Sequence, residues 1–390
     1  MDSHTEMGLN TRLAHFGEDV KLEGAIAPPI FQTSLFVFDT FDQFESGIVG
    51  NPEGPPYHYS RIGNPTVDLA ERKIADLEGT EECKLIGTGM GAITVAIMSC
   101  VESGAHVVAV DTCYGPTRTL LSDYLKRFGV KVTFVSGLSA DEVIEAITPE
   151  TTLIYLESPS SIIFRLQDIE AITKVARERG ITTAIDNTYC TPVFSNPVQF
   201  GVDIVIHSGT KFFGGHSDLT AGAVCTTKAR MDRLAKEEVN LLGSILAPFP
   251  AWLLMRGLRT LGIRMKRHQE TGNIVASWMN EQSQVERVFH VGLPNFPQRE
   301  LFEKQMRGST SLFSFEPKTQ DKERIMRFVE GLELFQLGVS WGGYESLVVP
   351  IYGKPDDWLE PRWVIRLFCG LEEPEDLISD LRQSLAASGL

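Results

Sequence analysis

Asp203-Ile-Val-Ile-His-Ser-Gly-Thr-Lys-Phe-Phe-Gly-Gly-His-Ser-Asp-Leu-Thr-Ala-Gly-Ala-Val224 is the stretch whose reading decides the fold. Residues 202–206 and 221–226 are short apolar, β-branched runs separated by turn chemistry, which predicts two strands of a buried sheet. Between them sits one lysine, Lys211, flanked by Ser208, Thr210, Gly214, Gly215 and Ser217. A lysine leaving a buried strand loses hydration, which lowers its pKa and makes its amine a nucleophile for aldehydes. Hydroxyls at Ser208 and Thr210 suit a phosphate. The combination matches a pyridoxal-phosphate Schiff base. A solvated loop lysine is the plainer reading, and this stretch alone does not choose between them.

Working outward, strand-like runs recur at 106–110, 131–135, 153–156 and 181–185. Helical patterns lie between several of them, most clearly at 168–179, with Asp168 as cap and Gly180 as stop. This βαβ rhythm predicts an α/β fold with a mostly parallel sheet and helices on both faces. Ligands of such sheets bind at the carboxyl ends of the strands. Tyr114, Glu157, Asp186 and Lys211 each fall at or just after such an end. An aspartate there costs several kcal/mol unless a cation or hydrogen bonds compensate it. A pyridinium N–H is one partner for Asp186, and a turn cap is the plainer role. Residues 84–98 give an apolar start, a glycine-dense turn and an apolar helix, which places backbone N–H groups where a phosphate is favoured. Gly87-x-Gly89-x-Gly91 lacks the dinucleotide spacing, and the glycines serve equally well for close helix packing.

The flanks read differently. Residues 1–60 look like an arm rather than a compact unit. Residues 22–38 are rich in proline, glycine and aromatics, and 47–56 form a Gly/Pro loop. Tyr57-His-Tyr-Ser-Arg-Ile-Gly-Asn-Pro-Thr66 packs two tyrosines, an arginine and a turn into ten residues. An arm of this kind is expected to lie on another subunit, with packing on its own domain as the alternative. Thr66 is the expected cap of a helix over 67–78, and Gly79 its stop. Residues 61–250 make the expected large domain and 251–390 a smaller C-terminal one. In the latter, 308–316 and 363–368 read as strands, and 322–332 and 374–387 as helices. Arg366, if partly buried in its strand, suits a bidentate clamp on a carboxylate.

The chain has 390 residues, 43% apolar and 22% charged, and a net charge of −15 from 36 basic and 51 acidic side chains. That balance argues against nucleic acid or an anionic membrane as the main partner. The six cysteines have no paired spacing and fit neither a zinc site nor a disulfide framework, so no metal is expected. Residues 1–10 are polar and no window approaches a membrane span. A soluble protein of the reducing cytoplasm is the simplest expectation.

Tyr59-Ser-Arg61 with Asn64-Pro-Thr, Gly89-Met90, Tyr114-Gly, Asp186-Asn-Thr and Ser208-x-Thr-Lys211 followed by Gly215-His-Ser-Asp together resemble the Cys/Met-metabolism family of pyridoxal-phosphate enzymes. The resemblance runs from about Asn10 to Leu385. It implies a fold-type I, aminotransferase-like subunit with a smaller C-terminal α+β domain, assembled as a homotetramer of two tight dimers. By the same resemblance, Lys211 would carry the cofactor and shuttle protons, Asp186 would pair with the ring nitrogen, and Tyr114 would stack on the ring. Gly89, Met90, Ser208 and Thr210 would bind the phosphate. Tyr59 and Arg61 would reach it from the neighbouring subunit, with Tyr59 joining Lys211 and Tyr114 in catalysis. Arg366 would hold the substrate α-carboxylate with help from Ser340, and Trp341 would wall the substrate side.

Within the family, Ser340-Trp-Gly-Gly-Tyr-Glu-Ser-Leu347 and Leu156-Glu-Ser-Pro-Ser-Ser161 look most like bacterial cystathionine β-lyases. Many γ-enzymes have a glutamate at the place of Val339 and an asparagine at that of Ser161. Methionine γ-lyases have a cysteine where Pro116 stands. The Tyr-Ser-Arg-x-x-Asn-Pro-Thr segment is closer to the γ-enzymes. The expectation is therefore a carbon–sulfur lyase that β-eliminates homocysteine from cystathionine, leaving pyruvate and ammonia. The alternatives are a cystathionine or methionine γ-lyase, a broad cysteine-S-conjugate lyase or, from another class, a catalytically silent cofactor-binding regulatory protein.

Overall fold

The computed structural model describes residues 7–18, 21–49, 54–355 and 357–390. The first six residues of the polar N-terminal stretch and residues 50–53 of the expected Gly/Pro loop lie outside the described residues. The chain builds an α/β structure around a seven-stranded sheet. Its strands are β1 (Glu82–Ile86), β2 (His106–Val110), β3 (Lys131–Val135), β4 (Thr151–Glu157), β5 (Thr182–Asp186), β6 (Ile204–His207) and β7 (Gly222–Thr226). The order across the sheet is β1-β7-β6-β5-β4-β2-β3. Strands β2 to β6 run parallel, while β7 is antiparallel to both β6 and β1. Every residue of β2, β6 and β7 is buried, as required of strands covered on both faces. The two runs around Lys211 are thus antiparallel neighbours, and the loop between them turns back over the carboxyl end of the sheet.

Local sequence sets the helix ends. The helix Pro65–Glu78 begins two residues before the expected start, and its cap is Asn64, not Thr66. The Asn64 side chain accepts from the Thr66 backbone N–H at 3.0 Å, and Pro65 suits the first helical position because it needs no donor there. The Thr66 hydroxyl instead accepts from the Phe31 N–H at 2.9 Å, tying the root of the arm to the large sheet unit. Asp168 caps the helix Ile169–Glu178 through the Ala171 N–H, as its sequence position predicts.

The arm contains two short helices, Leu9–His15 and Phe41–Val49, which the composition did not suggest. Its root packs on its own chain: Leu13 is buried, and Glu18 pairs with the buried Lys73 at 2.9 Å. Farther along, Ile26 and Val37 are 78% and 86% exposed. Those side chains are not covered by their own subunit.

A second sheet has the order β10-β11-β12-β9-β8, made of β8 (Val285–Phe289), β9 (Leu312–Pro317), β10 (Gln336–Leu337), β11 (Leu347–Gly353) and β12 (Arg362–Phe368). It is antiparallel apart from the β10–β11 pair. The 20-residue helix Leu261–Asn280 joins the two units. Leu261 and Met265 enter the core under the large sheet, whereas Val275, Ala276 and Met279 enter the core of the small one. We propose the division into an arm (1–60), a large domain (61–250) and a small domain (251–390) on this pattern. Among the described residues, no helix is long and apolar enough to cross a membrane.

Candidate active site

The carboxyl ends of β4, β5 and β6 open into a cavity of about 510 Å³. It brings together Gly89, Met90, Tyr114, Asp186, Ser208, Thr210 and Lys211 from the large unit with Ser340, Trp341 and Arg366 from the small one. Ser161, Ile162 and Val339 complete the wall used below.

Lys211 follows β6 in a tight turn in which its N–H donates to the Ser208 carbonyl at 3.1 Å. Burial first, and the Arg366 charge second, depress the Lys211 amine to about 8, while Asp186 opposes the shift. Lys211 Nζ donates to Ser340 Oγ at 2.5 Å and lies 5.4 Å from the Trp341 ring centre. The loop itself is held from behind. Arg264 donates to the Phe212 carbonyl at 2.7 Å and to the Gly257 carbonyl at 2.8 Å. Gly342 sits against the Lys211 backbone, where an added Cβ would come within 2.7 Å of the Lys211 carbonyl carbon.

Asp186 ends β5. Its Oδ1 accepts from the Thr188 N–H at 2.9 Å and from the Thr188 hydroxyl, so Oδ2 remains for a partner in the cavity. Burial pushes this carboxyl above the ordinary range, and the Thr188 bonds, His207 and Lys211 work against that push. The Thr188 hydroxyl in turn accepts from the Ser208 N–H at 2.7 Å. Thr188 therefore links the carboxylate to the lysine turn. The Asp-x-Thr spacing, typical of a side chain bonding two residues ahead, was the available signal for it.

The helix Gly89–Met98 points its N-terminus at the same cavity. Thr88 accepts the Gly91 N–H at 2.9 Å, which leaves the Gly89 and Met90 N–H groups unused within the helix. Any side chain at position 89 would come within 2.6 Å of Ser208 Oγ, so glycine keeps open the space between this N-terminus and the serine. Thr210 Oγ1 exchanges hydrogen bonds with Ala221, accepting from its N–H at 3.0 Å and donating to its carbonyl at 3.2 Å.

Glu157 ends β4 and is buried beside Asp186, its register partner on β5. Burial, then the Asp186 charge, raise it to about 8. Tyr114 is 46% exposed at the cavity wall, and its backbone N–H donates to Glu157 Oε2 at 2.7 Å. Arg366 lies on β12, opposite Ser314 and Val349; burial lowers its pKa to about 10. Its guanidinium donates to the Ser340 carbonyl at 3.1 Å.

Tyr59 and Arg61 do not join these residues within one chain. Arg61 donates to the Asn240 carbonyl at 3.0 Å and covers the Tyr59 ring at 5.5 Å; neither residue lines the cavity.

The remaining set fits pyridoxal phosphate: backbone donors and the Ser208 hydroxyl for a phosphate, with Thr210 beside them, a carboxylate for a ring nitrogen, and a lysine whose lowered pKa suits an aldehyde. The chain matches the model of the Cys/Met metabolism PLP-dependent enzymes over residues 10–386. It is 39% identical to the L-methionine gamma-lyase of Porphyromonas gingivalis, over 97% of each chain. It is 37% identical to the L-methionine gamma-lyase of Pseudomonas putida, over 98% of each chain. A putative cystathionine beta-lyase of Rhizobium johnstonii is 36% identical over 98% of this chain and 96% of its own. Cavity, cofactor chemistry and relatives converge, and the chain belongs to the PLP-dependent enzymes of Cys/Met metabolism.

Proposed function

We propose that this protein is a carbon–sulfur lyase that eliminates a thiol from an uncharged thioether amino acid, with γ-elimination from methionine as its leading reaction. The products are methanethiol, 2-oxobutyrate and ammonia. The observation that carries this reading is the state of the cavity's carboxylates. Glu157 is engaged with Tyr114 and Ser161, and Asp186 is engaged with Thr188 beside Lys211. The wall at Val339, Trp341 and Ile162 is apolar. Cystathionine would bring a distal ammonium into this wall, and burying an unpaired charge costs several kcal/mol. A methyl thioether carries no such penalty. Two relatives named L-methionine gamma-lyase support the same choice.

In this reading Arg366 holds the substrate carboxylate with a charge-assisted fork, and Ser340 keeps that guanidinium in place through its carbonyl. Asp186, its Oδ1 held by Thr188, would offer Oδ2 to the ring nitrogen. The bound cofactor supplies an electron-withdrawing ring that takes up the charge left when the Cα proton departs. Lys211 moves protons. With a pKa near 8, its amine accepts and returns one near neutral pH without a large driving-force penalty. The Gly89 and Met90 N–H groups and the Ser208 hydroxyl would hold the phosphate, joined by Thr210 if its hydroxyl turns from the Ala221 carbonyl, and Tyr114 would cover the ring. Tyr59 and Arg61 serve the phosphate of a neighbouring subunit in a dimer-based homotetramer of the cytoplasm. This complete set of groups speaks against a silent regulatory protein.

The Ser340–Leu347 motif favours a second reading, β-elimination from cystathionine. Supplying methionine and cystathionine separately, and assaying 2-oxo acids, decides between them. The proposal expects 2-oxobutyrate from methionine at the higher kcat/KM. Pyruvate from cystathionine as the faster product would reverse the order of the two readings.

A further inference from the structure

Glu157 and Ser161 are neighbours across a loop that nothing in the elimination chemistry explains. Glu157 Oε1 and Ser161 Oγ are 2.6 Å apart, and Oε2 faces the Tyr114 N–H at 2.7 Å. Oε2 faces an N–H and must accept, which places a proton of this carboxyl on Oε1, toward Ser161, while the Ser161 hydroxyl and N–H both favour the ionised form. The serine backbone is fixed. Its N–H donates to the Thr112 carbonyl at 3.0 Å, and its carbonyl accepts from the Ile163 N–H at 2.8 Å. The next residue, Ile162, has φ +71°, a strained conformation for a β-branched residue that persists only where its surroundings impose it. The hydroxyl hydrogen is therefore the part of Ser161 free to redirect.

We propose that Glu157 and Ser161 form a proton-dependent positioning pair that decides whether Ser161 offers the cavity a hydrogen-bond donor or only an acceptor. This rests on the cavity being the site of the elimination. With Glu157 protonated, its O–H donates to Ser161 Oγ, and the serine O–H is released toward the cavity. With Glu157 ionised, the serine O–H turns back to the carboxylate and only oxygen lone pairs face the ligand. A substrate carboxylate or a cofactor oxygen needs a donor, so the protonated pair is the binding form.

The groups facing Glu157 set where the change occurs. Asp186 faces it from β5, Tyr155 from its own strand, and Cys113 and Tyr114 from the loop after β2. Lys211 and Arg366 line the same cavity. Burial, then the Asp186 charge, push the Glu157 carboxyl upward, to about 8. Lys211 titrates in the same region, so activity alone does not distinguish the two.

The test is an infrared titration of the protein, with and without cofactor, joined to the pH dependence of KM. The expected result is a protonated-carboxyl band that disappears with a midpoint near pH 8 and is missing from Glu157→Gln. In Ser161→Ala the band remains and its midpoint rises, because the bond the serine donates to the carboxylate, which holds the pKa down, outweighs the one it accepts from the acid. In the wild type, KM for the amino acid rises at least threefold across the same midpoint. In Glu157→Gln the Tyr114 N–H holds the amide oxygen, the amide N–H faces Ser161 permanently, and the rise disappears. A missing band, an unmoved midpoint in Ser161→Ala, or an unchanged KM rise in Glu157→Gln overturns the pair. Absence of turnover on every amino acid overturns the functional reading instead, and the infrared midpoints still decide the pair. If Glu157→Gln does not fold, Ser161→Ala carries the test.

Discussion

Lys211 Nζ and Ser340 Oγ stand 2.5 Å apart although 129 residues separate them in the chain. Ser340 holds φ at +88°, a conformation that costs a non-glycine residue roughly 1–3 kcal/mol. In return one residue receives the lysine on its hydroxyl and Arg366 on its carbonyl. Two cations of the cavity are thereby spaced by a single strained serine from the small unit.

That spacing has a consequence for loading the cofactor. Attack on an aldehyde needs the neutral amine, and Lys211, its pKa lowered to about 8 from 10.5, is half neutral there. The rate at which cofactor-free protein combines with pyridoxal phosphate should rise about tenfold per unit below pH 8 and level off above it, as followed by stopped-flow absorbance. Arg366 lowers the Lys211 pKa, so Arg366→Met should move the midpoint upward and slow loading at pH 7, whereas Arg366→Lys should keep it low. A midpoint that stays in place in Arg366→Met would remove the charge coupling from the account.

The position of Arg61 away from its own cavity leads to a test of subunit sharing. Arg61→Ala and Lys211→Ala proteins should each be nearly inactive. Mixed after unfolding and refolding together, they should regain a clear fraction of wild-type rate, because a hybrid dimer keeps one site with both residues intact. Mixed dimers seen by mass spectrometry without recovered turnover would place Tyr59 and Arg61 in a role confined to their own subunit.

Stability in acid should follow His290. It is buried, its Nε2 donates to the Thr310 carbonyl at 2.9 Å, and burial pushes its pKa down to about 4. Between pH 6.5 and 4 the unfolded chain binds a proton that the folded chain refuses. Folding free energy therefore falls as pH drops through this window, by at most about 1.4 kcal/mol per unit for one histidine. His268, pushed down to about 3, adds in the same direction. Urea unfolding at pH 7, 5.5 and 4.5 should show His290→Gln less stable at pH 7 yet less sensitive to acid. Parallel losses in both proteins would mean that His290 is not the group responsible.

The legible parts of this chain are those written locally. Strands β2 and β3 read to the residue because turn residues bound each run, and the placement of Tyr114, Glu157 and Asp186 at strand ends follows from the same runs. The cap at Asn64 was misassigned because Thr66 is an equally good capping type, and the choice depends on Phe31, far away in sequence. The helices Leu9–His15 and Phe41–Val49 are short and lie among turn residues, so periodicity has little length to work on. The meeting of Lys211 with Ser340 and Arg366, and the link from Asp186 through Thr188 to Ser208, are products of tertiary packing. No local pattern encodes them.

The clamp behind Lys211 says something about time. With Gly342 against its backbone and Arg264 bonded to the next carbonyl, the lysine is a boom on a fixed mast: its base cannot travel, and its tip visits a few staggered settings. Side-chain swings of that kind last picoseconds to nanoseconds when unhindered, far shorter than turnover at typical rates of about 1–1000 per second. The stroke of the amine is then decided by bond lengths fixed at folding, and the clock of the enzyme is kept by slower events, the breaking of bonds or the departure of products.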